Sequence, residues 1–383
     1  MTPDRHPPGT GRHGRAARSA AAAMLLFAVG CASPLPRARS AFYAGDARQA
    51  VDALEEARVP ERDRILLLME RGTARQAAGD LEGSTRDFVA AADLIESFET
   101  WSASHGSASM VADDRALRYR GAPYERTLLH ALTAHNHLQQ GDWDHAAVES
   151  RRILRALDPE RRGAFPDDAY ARYVAGFGFQ MIDDPSNAAL QFRHAAELAP
   201  TVPIDPQTGR IGEAEPGPDL VVFLLLGRTP AAGAAADPWT GFDTPAQVEV
   251  LDGVKRLGRA HILTDTLDLA LSTAEQESLR RTARAVTRIV AKETVATVLD
   301  RENEWLGFLA RVILLGFFEQ PDARRWETLP RWLAVARVPA PADLDRFRIV
   351  LRHPGGAIFR EADVEGPFPH RYGTRVAVVR ILP

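Results

Sequence analysis

The stretches AGDARQAVDALEEA (44–57) and AGDLEGSTRDFVAAADLIE (78–96) decide the fold, because they repeat one phrase at a fixed interval. The Gly-Asp pair that opens the phrase recurs after 34 residues. Two later stretches, QGDWDHAAVESRRIL (140–154) and IDDPSNAALQFRHAAELAP (182–200), return to the same phrase. Self-similarity at such an interval indicates one supersecondary unit that is copied several times along the chain.

The length of the interval predicts pairs of antiparallel helices, since 34 residues is the period of the tetratricopeptide repeat (TPR). Gly72 and Gly176 precede the turns where the two helices of a pair must touch, and Phe88 and Phe192 hold a large apolar position after them. Because each pair has an apolar face that it cannot bury alone, neighbouring pairs stack. We therefore expect a TPR-like α-solenoid over residues 31–200, beginning with an incomplete unit. A non-repetitive helical bundle is the alternative.

The second half of the chain has a different pattern. A Pro/Gly-rich segment at 201–218 is a predicted linker. STAEQESLRRTARAVTRIVAKETVATVLD (272–300) predicts a helix that Ser272 caps. Strands are predicted within DLVVFLLLG (219–227), AQVEVLDGVKRLGRAHILTD (246–265), RFRIVLR (346–352) and TRVAVVRIL (374–382). We expect an α+β protein whose mixed domain, residues 219–383, ends in a small β-sandwich or half-barrel.

Two internal stretches follow neither pattern. Residues 99–123 are rich in Ser, Ala and Gly, which predicts a long loop with at most one short helix. Residues 304–318, EWLGFLARVILLGFF, are apolar but shorter than the ~20 residues that a membrane-spanning helix needs. A buried core helix is the simpler interpretation of this second stretch, and a hairpin that dips into a membrane is the alternative.

The first 30 residues have the layout of a secretory signal peptide: arginines, an apolar run from 20 to 29, and small residues near its end. Ala-Val-Gly followed by Cys31 resembles the lipobox of bacterial lipoproteins. The resemblance implies a diacylglyceryl thioether on Cys31, cleavage before it and acylation, for example with palmitate, of the new amino terminus. Ala32 after the cysteine resembles outer-membrane members. An ordinary cleaved signal beside a free cysteine, or a short uncleaved anchor, are the alternatives.

Composition excludes several classes of function. The chain has 47 basic and 51 acidic side chains, a net charge of −4, which does not suggest a nucleic-acid partner. Cys31 is the only cysteine, so disulfides, cysteine-based zinc sites and cysteine nucleophiles are not expected. Phosphate-binding glycine loops and hydrolase or metalloprotease motifs are absent from the sequence. We therefore expect no enzyme activity and no cofactor.

The most polar cluster lies in YERTLLHALTAHNHLQQGDWDHAAVESRR, residues 124–152. His130 and His137 are two helical turns apart, and His135 and His137 project in different directions, so no metal site is expected. The charges of both signs could line a concave surface that binds an extended peptide, or could form a solvated outer face. The candidate partner-binding residues are Tyr124, Glu125, Arg126, His130, Asn136, Glu149 and Arg152.

Together with PDARRWETLPRWLAVARV (321–338), this segment resembles an uncharacterised family of bacterial tetratricopeptide-repeat lipoproteins, over nearly the whole mature chain. The resemblance implies neither a reaction nor an active site. Trp326 and Leu329 are better suited to a core than to ligand binding. The matching residues are the seven candidates above and, in the second stretch, Asp322, Arg325, Trp326, Leu329 and Pro330.

These observations predict a lipid-anchored scaffold on the periplasmic side of the outer membrane. Its repeat groove would bind a protein or peptide partner, in envelope assembly or cell-wall synthesis. Two alternatives remain open: a periplasmic glycan or peptide hydrolase that uses carboxylates of the second half, and a structural subunit of an envelope or secretion complex.

Overall fold

The computed structural model describes residues 34–105, 118–212, 217–229, 247–292 and 324–382. The predicted signal peptide, Cys31, the apolar stretch 304–318 and Asp322 lie outside the described residues.

The first half consists of α-helices that pair across tight turns. The pairs are α1–α2, α3–α4, α5–α6 and α8–α9, so the predicted helical repeat is confirmed. The fourth helix continues to His105, seven residues into the segment that its composition predicts as a loop. The helices are α1 (Pro34–Tyr43), α2 (Ala47–Glu55), α3 (Arg64–Ala77), α4 (Leu81–His105), α5 (Pro123–Gln139), α6 (Trp143–Ala156), α7 (Pro159–Arg162), α8 (Ala169–Met181) and α9 (Pro185–Leu198).

The turns within the four helix pairs share one backbone conformation. Each has a residue in the left-handed region, and three of the four use glycine, which adopts it without strain. The next residue is an aspartate whose carboxylate accepts a backbone N–H three residues later, as a helix cap does. The left-handed residues are Gly45, Gly79, Gly141 and Asp183, with φ of 87°, 84°, 70° and 60°.

Where the helices touch in two of the pairs, a glycine of the first helix faces a phenylalanine of the second. A Cβ added at Gly72 would lie 2.5 Å from the Phe88 ring, and one added at Gly176 would lie 2.9 Å from the Phe192 ring. Phe88 and Phe192 are fully buried. The glycines therefore let the second helix of a pair approach closely, as the sequence predicts.

The second half forms an eight-stranded mixed sheet in the order β6-β5-β2-β3-β4-β1-β8-β7. β1 is parallel to β8 and antiparallel to β4. The sheet confirms the α+β class and all four predicted strand regions; β4, β6 and β7 were not predicted. The strands are β1 (Asp219–Leu226), β2 (Gln247–Asp252), β3 (Lys255–Asp265), β4 (Trp332–Pro339), β5 (Arg346–Arg352), β6 (Ile358–Glu365), β7 (His370–Arg371) and β8 (Thr374–Ile381).

Strand β1, which lies between β4 and β8, is buried along its whole length because it has apolar neighbours on both faces. Val221, Phe223 and Leu225 belong to the core shared with the helices. The alternate residues, such as Val222 and Leu224, face a second core that strands β2 and β5 complete by curling over the sheet. The two halves of the chain therefore share one apolar core, while their division at 201–218 stays a prediction.

The helix predicted to begin at Ser272 begins earlier. It is α10 (Thr266–Lys292), which follows β3 directly. The carboxylate of Asp265 accepts the N–H of Leu267 at 2.9 Å, so a polar residue at the strand end, and not Ser272, opens the helix. Neither α10 nor any other helix within the described ranges is long and apolar enough to cross a membrane.

Candidate functional site

The face formed by the first helices of the pairs is covered by the chain itself. Phe223 of β1 is central to this contact, since its ring lies 5.0 to 6.3 Å from four aromatic rings of α5 and α8. The concave surface on which the sequence predicts peptide binding is therefore largely internal. The four rings belong to His135, Tyr170, Tyr173 and Phe177.

A segment of the second half, residues 325–329, crosses the first helices α1, α3 and α5. The indole N–H of Trp326 donates to Thr73 Oγ1 at 3.0 Å. The buried Glu70 accepts the backbone N–H of Glu327 at 2.9 Å and the hydroxyl of Thr328 at 2.6 Å. A buried carboxylate that receives hydrogen bonds from a crossing segment has its charge compensated, so Glu70 stabilises the contact between the two halves.

The two stretches that carry the family resemblance meet at this crossing. Glu125 accepts the backbone N–H of Trp326 at 2.7 Å. Burial raises the pKa of Glu125, and hydrogen bonds from Tyr119, Trp326 and Ala122 oppose that rise. Glu125 is 1% exposed, so its contacts lie within the fold. Trp326 and Leu329 are buried, as the sequence predicts.

Asn136 also has an internal role. It is fully buried, and its side-chain amide accepts a hydrogen bond from Gln76 at 2.7 Å and donates to Ser84 at 2.9 Å. These contacts tie α5 to α3 and α4. Tyr124 is half-buried on α5, where burial raises its pKa, Glu125 adds to the rise and Arg325 opposes it.

An open groove lies between α4 and α6, with α5 beneath them, and we name it the arginine groove. Its volume is about 800 Å³. Apolar side chains such as Ile95 and Leu129 contribute to its floor, and charged side chains surround them. The charged residues that line it are Asp93, Glu96, Glu99, Arg126, Arg152, Arg155, Arg161 and Arg162, together with His130.

Three of the predicted partner-binding residues line the arginine groove. Arg126 forms an ion pair with Glu99 across the gap between α4 and α5. Nδ1 of His130 lies 2.8 Å from the Glu149 carboxylate, which also accepts from Arg152 at 2.8 Å. Glu149 is 3% exposed, so its buried carboxylate holds the side chains of His130 and Arg152 in place from below.

The sequence did not identify the remaining groove residues. Arg155 pairs with Glu96 at 2.7 Å, and Arg161 lies 3.6 Å from Glu99. Their spacing offers a signal, because Arg155 follows Arg152 by three residues and the two glutamates are also three apart, which places each set on one helix face. That the two faces meet depends on how the helix pairs stack, which spacing does not define.

The arrangement is suited to binding. Guanidinium groups along a groove recognise carboxylates in a defined geometry, and the apolar floor can bury aliphatic side chains. Arg155 and Glu96 are each 54% exposed, so their ion pair can exchange with an incoming carboxylate.

No protein-family model matches the chain, and no curated protein is similar to it. Among solved structures, a double mutant of MamA is similar at 16% identity, over 43% of this chain and 72% of that one, with a TM-score of 0.30. A point mutant of MamA is similar at 15% identity, over 44% and 76%, with a TM-score of 0.28. A thermophilic TPR protein of Thermus thermophilus is similar at 13% identity, over 44% and 90%, with a TM-score of 0.22.

Proposed function

We propose that this protein is a non-enzymatic scaffold, anchored by lipid at Cys31 to the periplasmic face of the outer membrane, that binds a protein partner in the arginine groove. The observation that carries the proposal is the covered concave face. Because the sheet and the segment 325–329 occupy that face, we place the partner in the arginine groove, an open surface that combines depth, charge and an apolar floor.

The charge of the groove favours an acidic partner segment. Its described lining has five arginines and three carboxylates, whereas the chain as a whole has a net charge of −4. A local positive surface on a negative protein attracts and orients acidic chains. We therefore expect the partner to present an extended segment with several Asp or Glu side chains.

Replacing the glutamates of the groove's ion pairs by partner carboxylates costs little free energy. The side chains of Arg155 and Arg161 are 54% and 48% exposed and are paired with glutamates. Exposed pairs of this kind contribute about 0–1 kcal/mol, so replacing a glutamate by a partner carboxylate loses little. Because the helices are already in place, binding also needs little reorganisation.

The anchor would restrict where binding occurs. Helix α1 begins at Pro34, three residues after Cys31, and three residues span at most about 10 Å. A lipid on Cys31 would therefore hold the helical repeat close to the membrane and raise the effective concentration of partners there.

The groove is tested by site-specific photo-crosslinking in intact cells. A photoreactive amino acid at Ala156, in the groove, should capture one partner that mass spectrometry identifies. The double charge reversal Arg155→Glu with Arg161→Glu should abolish that capture. The matched control, Arg86→Glu with Arg193→Glu, reverses two exposed arginines outside the groove and should leave it unchanged. Equal capture by both double variants would exclude the groove.

The anchor is tested separately. Wild-type protein should incorporate labelled palmitate and sediment with the outer membrane, and Cys31→Ala should lose both properties. A Cys31→Ala protein that still carries labelled lipid would contradict attachment at this residue, whatever the result for the groove.

A further inference from the structure

Three side chains converge at the turn between α5 and α6, at the opposite end of these helices from the arginine groove. Nδ1 of His137 lies 3.1 Å from Asp142 Oδ2, and Nδ1 of His145 lies 2.9 Å from the same carboxylate. The two imidazole rings stack with centroids 5.3 Å apart and an angle of 21° between their planes. One ligand atom from each residue falls within 4.8 Å of the others.

The fold fixes these three groups relative to one another. Gly141 takes a left-handed conformation with φ of 70°, which brings the end of α5 next to the start of α6. The Asp142 carboxylate is held at the first turn of α6 because it accepts the backbone N–H of His145. His137 is 13% exposed and His145 is 68% exposed, so the cluster is supported from below and open to solvent on one side.

Capping alone does not explain the two histidines. The aspartates at the other three turns also cap their helices. The residues five positions before and three positions after each of these aspartates are not histidines. These are Ala41 and Gln49 around Asp46, Arg75 and Gly83 around Asp80, and Phe179 and Asn187 around Asp184.

We propose that His137, Asp142 and His145 form a binding site for a divalent transition-metal ion such as Zn²⁺. Two imidazoles and one carboxylate are ligands that this class of ion prefers, and a three-ligand site leaves a coordination position for water. Bonds of about 2.05 Å place tetrahedral ligands about 3.3 Å apart. The present His–Asp separations of 2.9 and 3.1 Å are close to that spacing, and the ligand atoms of the two histidines lie within 4.8 Å of each other.

From the sequence alone no metal site is expected, because His130, His135 and His137 lie on one helix, α5, and do not converge. The proposed second and third ligands come from the cap of the next helix and from that helix itself, across the turn. The spacing His137-x₄-Asp142-x₂-His145 contains the set once the turn is known.

The proposal is tested by titrating the untagged chain with ZnCl₂ in an isothermal calorimeter. Wild-type protein should bind one Zn²⁺ with an affinity that His137→Gln and His145→Gln each lower by at least about tenfold. Asp142→Asn should lower it comparably while keeping the helix cap, because asparagine caps as well as aspartate. The thermal midpoint of this variant without zinc should therefore match that of the wild type.

The matched control is His194→Gln on α9, which removes another surface histidine that lies beside a carboxylate, 3.3 Å from Glu197. It should leave the affinity for Zn²⁺ unchanged. Absence of binding by the wild type, or wild-type affinity in both His137→Gln and His145→Gln, would overturn the site.

Discussion

Burial changes the pKa of one histidine side chain, His135. His135 is fully buried on α5, with Nε2 lying 3.1 Å from the Tyr170 hydroxyl. Burial, and to a lesser degree the charge of Arg380, lower the pKa of His135 from 6.5 to about 3. The folded protein therefore holds this imidazole neutral, whereas the unfolded chain takes up a proton as the pH falls below 6.5.

This difference predicts an acid-sensitive stability. The contribution of His135 is fully present above pH 6.5 and is lost as the pH falls towards the folded-state value of about 3. One pH unit in that window costs about 1.4 kcal/mol, so lowering the pH from 6.5 to 5 should cost about 2 kcal/mol through this group. In His135→Leu that part of the loss should disappear, as measured by urea unfolding at each pH. Parallel pH profiles for the two proteins would contradict the assignment.

Backbone strain at one turn residue also affects stability. Asp183 takes φ of 60° where the other three turns have glycine. A residue with a side chain is strained there, so Asp183→Gly should raise the free energy of unfolding by about 0.5–1 kcal/mol. The reciprocal change Gly79→Ala should lower it by about 1 kcal/mol. Urea denaturation measures both, and a loss of stability in Asp183→Gly would refute the strain.

Within one helix pair, the contact of Gly72 with Phe88 determines how closely α3 and α4 approach. Alanine at Gly72 would place a Cβ 2.5 Å from the Phe88 ring. We expect Gly72→Ala to destabilise the protein by about 1–3 kcal/mol, although alanine favours helix by about 1 kcal/mol. Adding Phe88→Leu should recover part of the loss, because the smaller side chain makes room. Additive effects in this double-mutant cycle would show that the two positions do not clash.

The elements that the sequence predicted are those with local signals. The repeated Gly-Asp turns and the glycine–phenylalanine pairs identified the helix pairs because their period is short and their chemistry local. The start of α10 was misplaced because two polar residues could cap it, and Asp265 does so at the strand end. Strand β6 was missed because its residues are exposed or half-buried, which leaves little apolar pattern.

Of the seven residues that the sequence offers as partner-binding candidates, three line the arginine groove. Arg126, His130 and Arg152 line the arginine groove and not the concave surface on which the sequence predicts peptide binding, whereas Glu125 and Asn136 lie inside the fold. No local pattern distinguishes a buried, compensated carboxylate from an exposed one, because its hydrogen-bond donors come from distant segments. Trp326, which donates to Glu125, is 201 residues away in the sequence.

For the whole molecule, the decisive feature is that the second half of the chain covers the concave face of the helical repeat. The ion pair between Arg39 and Glu327 joins residues 288 apart, and the carboxylates of Glu70 and Glu125, which accept hydrogen bonds from the crossing segment, are buried. Each half would expose the apolar side chains of the shared core without the other. We therefore expect the two halves to stabilise one another and to unfold together.

Trp326→Ala tests whether the two halves unfold together. Trp326 is 2% exposed and bridges the halves, so truncation should cost about 3–5 kcal/mol. With 5-fluorotryptophan incorporated, each tryptophan has its own ¹⁹F NMR signal, so Trp143 on α6 follows the helices and Trp332 on β4 follows the sheet. In urea both signals should change in one transition and shift equally in the variant, because removing a shared contact destabilises both halves. Val254→Ala, at a fully exposed turn, is the matched control and should shift neither. Two separate transitions, with only one moved by Trp326→Ala, would mean that the halves fold independently.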